Sequence, residues 1–85
     1  MAIYIDDAIF KKGPSGRKSY CHMTADTLSE LHLFASSIGV KPHFFHKKSK
    51  YPHYDLTAEQ RDVAIGAGAQ PVSSRELLGR AKAIQ

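Results

Sequence analysis

The stretch Ser19-Tyr20-Cys21-His22-Met23-Thr24-Ala25-Asp26-Thr27-Leu28-Ser29-Glu30 decides the fold class, because it passes from a strand directly into a capped helix. A strand over Ser19–Met23 leaves the turn Gly13-Pro14-Ser15-Gly16, whose residue types suit a tight reversal. Thr27-Leu28-Ser29-Glu30 then reads as a capping box. In that motif the Thr hydroxyl accepts from the N–H three residues on, and the Glu side chain returns to the Thr N–H. The same signature recurs at Thr57-Ala58-Glu59-Gln60 and Ser73-Ser74-Arg75-Glu76, so three helices are expected, over about 27–38, 58–67 and 74–84. Leu28, Leu31, Ala35 and Ile38 share one face of the first helix, which stops at Gly39. Val63, Ala64 and Ala67 face inward on the second, whose end is loosened by Gly66 and Gly68. The third buries Leu77 or Leu78, Ala81 and Ile84.

Further strands fill the gaps between these helices. Ala2–Asp7 alternates, with Ile3 and Ile5 on one side and Tyr4 and Asp6 on the other. His43–His46 reads as a short third strand, and Gln70–Ser73 as a fourth that leads into the last helix. The order β-β-α-β-α-β-α points to an α/β or α+β fold, a small sheet of three to four strands with three helices packed on it. Strand direction stays open at this level.

Eighty-five residues make one domain, residues 1–85. A chain of this size buries only about two-thirds of its unfolded surface, so a metal, a ligand or homo-oligomerisation would be a natural supplement to its core. The single cysteine, Cys21, forms no internal disulfide, and the start turns acidic at Asp6-Asp7 in place of a secretory pattern. No apolar run approaches the roughly 18 residues that span a bilayer. The expectation is a cytoplasmic protein without a membrane partner.

The net charge of +4 is unevenly placed. Residues 11–18 hold four positive charges and no acid, and residues 41–54 hold four lysines, three histidines and no acid. Four basic residues then remain against all eight acidic ones elsewhere. Two basic stretches on a mildly acidic body suit an anionic partner, although solvated loops would show the same composition.

Six residues can carry chemistry: Asp6, His22, Asp26, His32, His53 and Asp55. Asp6 lies at a strand end, where folds of this class place functional groups. His22 and Asp26 flank the strand-to-helix junction, and His53-x-Asp55 precedes a helix start. Imidazole and carboxylate suit a divalent ion, Zn, Mn or Fe, with Mg as a further candidate, so Asp6, His22, Asp26, His53 and Asp55 are candidate metal ligands, with His22 and His53 as the catalytic pair. Each has a structural alternative. Asp26 can cap the first helix unless Thr27 does so, His32 can edge the core, and Asp55 can brace a turn. His22 and His53 read equally as a shared site or as a hydrogen-bond network. Cys21 and His22 are neighbours in a strand and point to opposite faces, so Cys21 reads as a small buried thiol. In the basic segment, rings interleave with charge: Lys47, Lys48 and Lys50 would meet phosphates while Tyr51 and Tyr54 offer stacking surfaces.

Tyr4-Ile5-Asp6-Asp7, Cys21-His22-Met23-x-Ala25-Asp26, Glu30-Leu31-His32, Pro52-His53-Tyr54-Asp55 and Arg75-Glu76-Leu77 resemble, in order, the motifs of domain of unknown function 4031. The family comprises small phage and bacterial proteins without an assigned activity, so the resemblance implies no chemistry. If phage-encoded, the protein would work in the host cytoplasm. The residues themselves suggest a protein that binds or acts on a phosphate-bearing ligand, a nucleotide or nucleic acid, through a His/Asp pocket, with metal-dependent phosphodiester hydrolysis as the enzymatic form. The alternative is a non-enzymatic protein that sequesters a nucleotide signal or binds a host protein.

Overall fold

In a computed structural model the described residues are 2–8, 12–13, 16–17, 20–46 and 50–85, the two short pairs by backbone only. The chain runs β1 (Ile3–Ile5), β2 (Lys12–Gly13), β3 (Gly16–Arg17), β4 (Cys21–Ala25), α1 (Leu28–Ser37), a 3-10 turn at Pro42–Phe44, β5 (Phe45–His46), β6 (His53–Leu56), α2 (Ala58–Gly66), β7 (Gln70–Pro71) and α3 (Ser74–Lys82). The main sheet has the order β5-β6-β4-β1-β7, and β2 and β3 form a separate hairpin. Only the β1–β7 pair is parallel; β1–β4, β4–β6 and β5–β6 are antiparallel. The fold is therefore α+β with a mixed sheet.

Five strands stand where three to four are expected, and the added one is β6. Its four residues alternate, with Tyr54 and Leu56 buried and His53 and Asp55 half-buried. Two polar side chains in four residues, directly after Pro52, make a weak strand signal, so the segment reads as a turn before α2. The segment at 43–46 splits instead: Pro42 starts a 3-10 turn, and only Phe45 and His46 pair with β6.

All three helices begin at the expected caps. Thr27, Thr57 and Ser73 accept from the backbone N–H of Glu30, Gln60 and Glu76 at 3.2, 3.2 and 3.1 Å. Only Thr57 completes the box, its own N–H donating to Gln60 Oε1 at 2.9 Å. Gly39 follows α1 with φ +80°, a conformation that a side chain resists.

Pairing register sorts the sheet into two faces. Ile3 lies opposite Ala25, Ile5 opposite Met23, Met23 opposite Tyr54, and Cys21 opposite Leu56. These residues form the core face, covered by Leu31 and Ala35 of α1 and Ala64 of α2. α2 seats on the sheet through Ala64 and Ile65, which turns Val63 and Ala67 outward, against the expected inward face. Leu28 in the first turn of α1 is likewise exposed, and α3 buries Leu77 in preference to Leu78. The second face carries Tyr4, Asp6, His22, Thr24, His53 and Asp55. α3 packs over β4 and β1 on this face, and the Arg80 guanidinium lies 4.6 Å from the Tyr4 ring centre. Among the described residues, no helix is long and apolar enough to cross a membrane.

Candidate metal centre

The register of β4 and β6 places His22 directly opposite Asp55. His53, two residues before Asp55 on the same strand, points to the same face. Its ring meets that of His22 edge-on at 4.9 Å, and His46, opposite it on β5, stacks on its other side at 4.8 Å and 15°. Asp6 leaves β1 beside His22. Four of the five candidate ligands thus converge. Asp26 does not join them: it sits at the far end of β4 from His22, with its Oδ1 accepting from the Tyr4 hydroxyl at 2.9 Å. Thr27 takes the capping role, which releases Asp26 for that bond.

Asp6 is 1% exposed, yet its carboxylate is fully engaged. Oδ2 lies 2.8 Å from His22 Nδ1, and Oδ1 accepts from the backbone N–H of His22 at 2.9 Å and of Ala8 at 3.2 Å. Burial pushes the Asp6 carboxyl up, but these bonds outweigh it and hold the group below its usual value. An ionised Asp6 accepts a hydrogen bond from His22 Nδ1–H, so Nε2 is the basic nitrogen of the neutral ring. This carboxylate–imidazole pair is the arrangement that orients histidines which ligate metals.

His53 is set the same way by a different group. Its Nδ1 faces the Tyr51 carbonyl oxygen, an acceptor only, so Nδ1 carries the proton and Nε2 the lone pair. That Nε2 lies 3.3 Å from Asp55 Oδ1. Burial, with His22 and His46 as neighbours, pulls the His53 pKa below its ordinary value despite the opposing pull of Tyr51 and Asp55. With its proton on Nδ1, His53 turns the Nε2 lone pair toward an Asp55 oxygen, an arrangement that a cation between them would satisfy. His46 Nε2 contacts the other oxygen, Asp55 Oδ2, at 2.7 Å. The donor atoms of His22, His53 and Asp55 lie within 4.8 Å of one another. Two imidazoles and one carboxylate suit Zn, Mn or Fe and leave positions open for water or substrate.

His46 is the member that sequence reading misses, since it stands beside lysines at the end of a short expected strand and is not among the candidate ligands. The signal that finds it is strand pairing with His53, which sequence does not give. The candidate ligand residues are scattered. Lys50 and Tyr51 flank the loop before β6, with Lys50 exposed, whereas Tyr54 is buried on the core face, its hydroxyl 2.7 Å from His32 Nδ1. Lys47 and Lys48 lie outside the described residues. Cys21 is buried on the core face with its Sγ 3.5 Å from the Leu56 carbonyl oxygen, away from His22.

Comparison with known proteins bears out the family resemblance. The family described as protein of unknown function (DUF4031) matches residues 3–84, nearly the whole chain. The chain belongs to the DUF4031 family. No curated protein and no solved structure matches it. The matched range of this DUF4031 chain spans Asp6, His22, His53 and Asp55, the residues that the sheet brings together.

Proposed function

We propose that this DUF4031 protein binds a divalent metal through His22, His53 and Asp55 and hydrolyses a phosphate ester of a nucleotide or nucleic acid. The observation that carries the reading is the 3.3 Å approach of His53 Nε2 to Asp55 Oδ1, with the His53 proton committed to Tyr51 on the other nitrogen. A bound metal would supply a polarised phosphoryl oxygen and a nucleophilic water at neutral pH. Asp6 holds His22 in the ligating tautomer, and His46 holds the second oxygen of Asp55. The basic residues of 41–54 draw in the anionic ligand.

The 2.7 Å contact of His46 with Asp55 favours a second, non-enzymatic reading, in which a histidine-rich pocket binds a nucleotide without cleaving it. Calorimetric titration of tag-free protein with Zn and Mn, followed by hydrolysis of bis(p-nitrophenyl) phosphate, separates the two. One metal per chain with turnover that disappears in His53→Ala supports hydrolysis. Metal binding without turnover leaves the binding reading, and no metal binding removes the metal centre.

A further inference from the structure

The core face of the sheet carries a second opening. A cleft of about 240 Å³ between α1, the 3-10 turn and the β5–β6 pair is lined by His32, Ser36, Val40, Pro42, Phe45 and Tyr54. Its walls are mostly apolar, with three polar groups converging on it. His32 Nδ1 meets the Tyr54 hydroxyl at 2.7 Å, and the Ser36 hydroxyl makes no hydrogen bond to the described residues. The His32 ring stands edge-on to Phe45 at 4.7 Å and 76°, which fixes the Phe45 ring as one wall. The space is below the range of sites that enclose a whole drug-sized ligand and suits one planar ring with polar atoms on its edge.

Strand β5 joins this cleft to the metal centre. Phe45 pairs with Tyr54 and His46 with His53, so the two residues of this strand point to opposite faces. Phe45 enters the cleft, and His46 reaches Asp55 on the other side. Among the described residues β5 is also the outer strand of the sheet, which gives a ligand a path from one face to the other around its edge. Exposed Lys41 and Lys50 precede and follow it in the sequence, in a stretch without an acid from residue 41 to 54.

We propose that the cleft is a base subsite and that the ligand is single-stranded nucleic acid wrapped around the β5 edge. One unstacked base lies against Phe45, with its polar edge toward Ser36 and His32. A neighbouring phosphate reaches the opposite face, where a cation held by His22, His53 and Asp55 would meet it. This rests on the reading of that face as a phosphate-ester site. A base held in a duplex cannot enter the cleft, and the two faces call for a base and a phosphate of one chain, which is why an unpaired strand is the fitting class.

Fluorescence anisotropy with a labelled single-stranded oligonucleotide of about ten nucleotides, in the presence of chelator, tests the cleft apart from any metal. The single strand is expected to bind about tenfold more tightly than the same sequence as a duplex, and affinity falls with added salt. Phe45→Ala and the cleft-filling Ser36→Phe each weaken binding about tenfold, the loss expected from one stacked base. Ser36→Phe adds its ring on an exposed helix position and leaves the core intact, so it carries the test if Phe45→Ala unfolds. Unchanged affinity in folded Ser36→Phe, equal affinity for duplex, or no oligonucleotide binding overturns the proposal. Metal titration of the same protein keeps the two readings apart. Cleft-dependent binding without metal uptake sinks the metal centre alone, and metal uptake without oligonucleotide binding sinks the cleft alone.

Discussion

Asp6 joins folding to the site through one side chain. Its two oxygens receive three hydrogen bonds in a place without solvent, so Asp6→Asn puts an amide where two backbone N–H groups and an imidazole donate. A loss of about 2 kcal/mol in urea unfolding is expected. The same change removes the acceptor that sets the His22 tautomer, and metal affinity measured by calorimetry should fall about 10- to 100-fold. The pH dependence follows from the lowered pKa. The unfolded chain titrates near the ordinary value of 3.8 and the folded carboxyl below it. The contribution of Asp6 is therefore complete above the unfolded value and is lost as the pH falls through the folded one. Wild-type stability should drop below about pH 4, and Asp6→Asn should show a shallower fall over the same window. A parallel fall in both proteins would show that Asp6 is not the linked group. Cys21 offers a simpler check. Burial, its largest influence, and the charge of Asp6 push the thiol up to about 12, and the side chain is shielded from solvent. Native protein should not react with a thiol reagent at pH 8, whereas urea-unfolded protein should react fully.

At the level of the elements, local chemistry and tertiary pairing divide what sequence can disclose. The three helices are legible because each start carries its own signal, a hydroxyl placed three residues before Glu or Gln. Thr57→Ala combined with Gln60→Ala removes both arms of the one reciprocal box and should cost about 1–2 kcal/mol, against about 1 kcal/mol for Ser73→Ala, whose cap has a single arm. Equal losses in urea melts would remove the distinction between the boxes. Gly39→Ala should cost about 1 kcal/mol or more, since φ +80° is strained for a side chain even though open space surrounds the added carbon. The strands are less legible. β5 and β7 have two residues each, too few to show alternation, and β6 hides His53 and Asp55 in what looks like a polar turn. The candidate site was legible as a set of residue types, and Asp6, His22, His53 and Asp55 do meet. Asp26 and His46 were not sorted correctly, because that sorting depends on which strands pair. Asp26 is drawn to Tyr4 by the β1–β4 register, and His46 reaches Asp55 only through the β5–β6 pair.

The whole molecule offers a modest core and a sheet whose second face is only partly covered by α3, so a bound ion would matter to its stability. A metal that binds only the folded chain adds stability by mass action, about 2.7 kcal/mol at a hundredfold excess over Kd. For a domain of this size that corresponds to a rise in Tm on the order of 10 °C. Thermal melts of tag-free protein with chelator, then with Zn or Mn restored, should show this shift. His22→Ala combined with His53→Ala should melt at one temperature with or without metal, because only Asp55 of the three ligands remains. His46→Ala discriminates further. His46 contacts Asp55 at 50% side-chain exposure and is not one of the three close donors, so its loss should leave a metal-dependent shift in place. If instead His46→Ala alone abolishes the shift, the ion sits between His46 and Asp55. The His22–Asp6 pair would then brace the sheet without presenting a ligand.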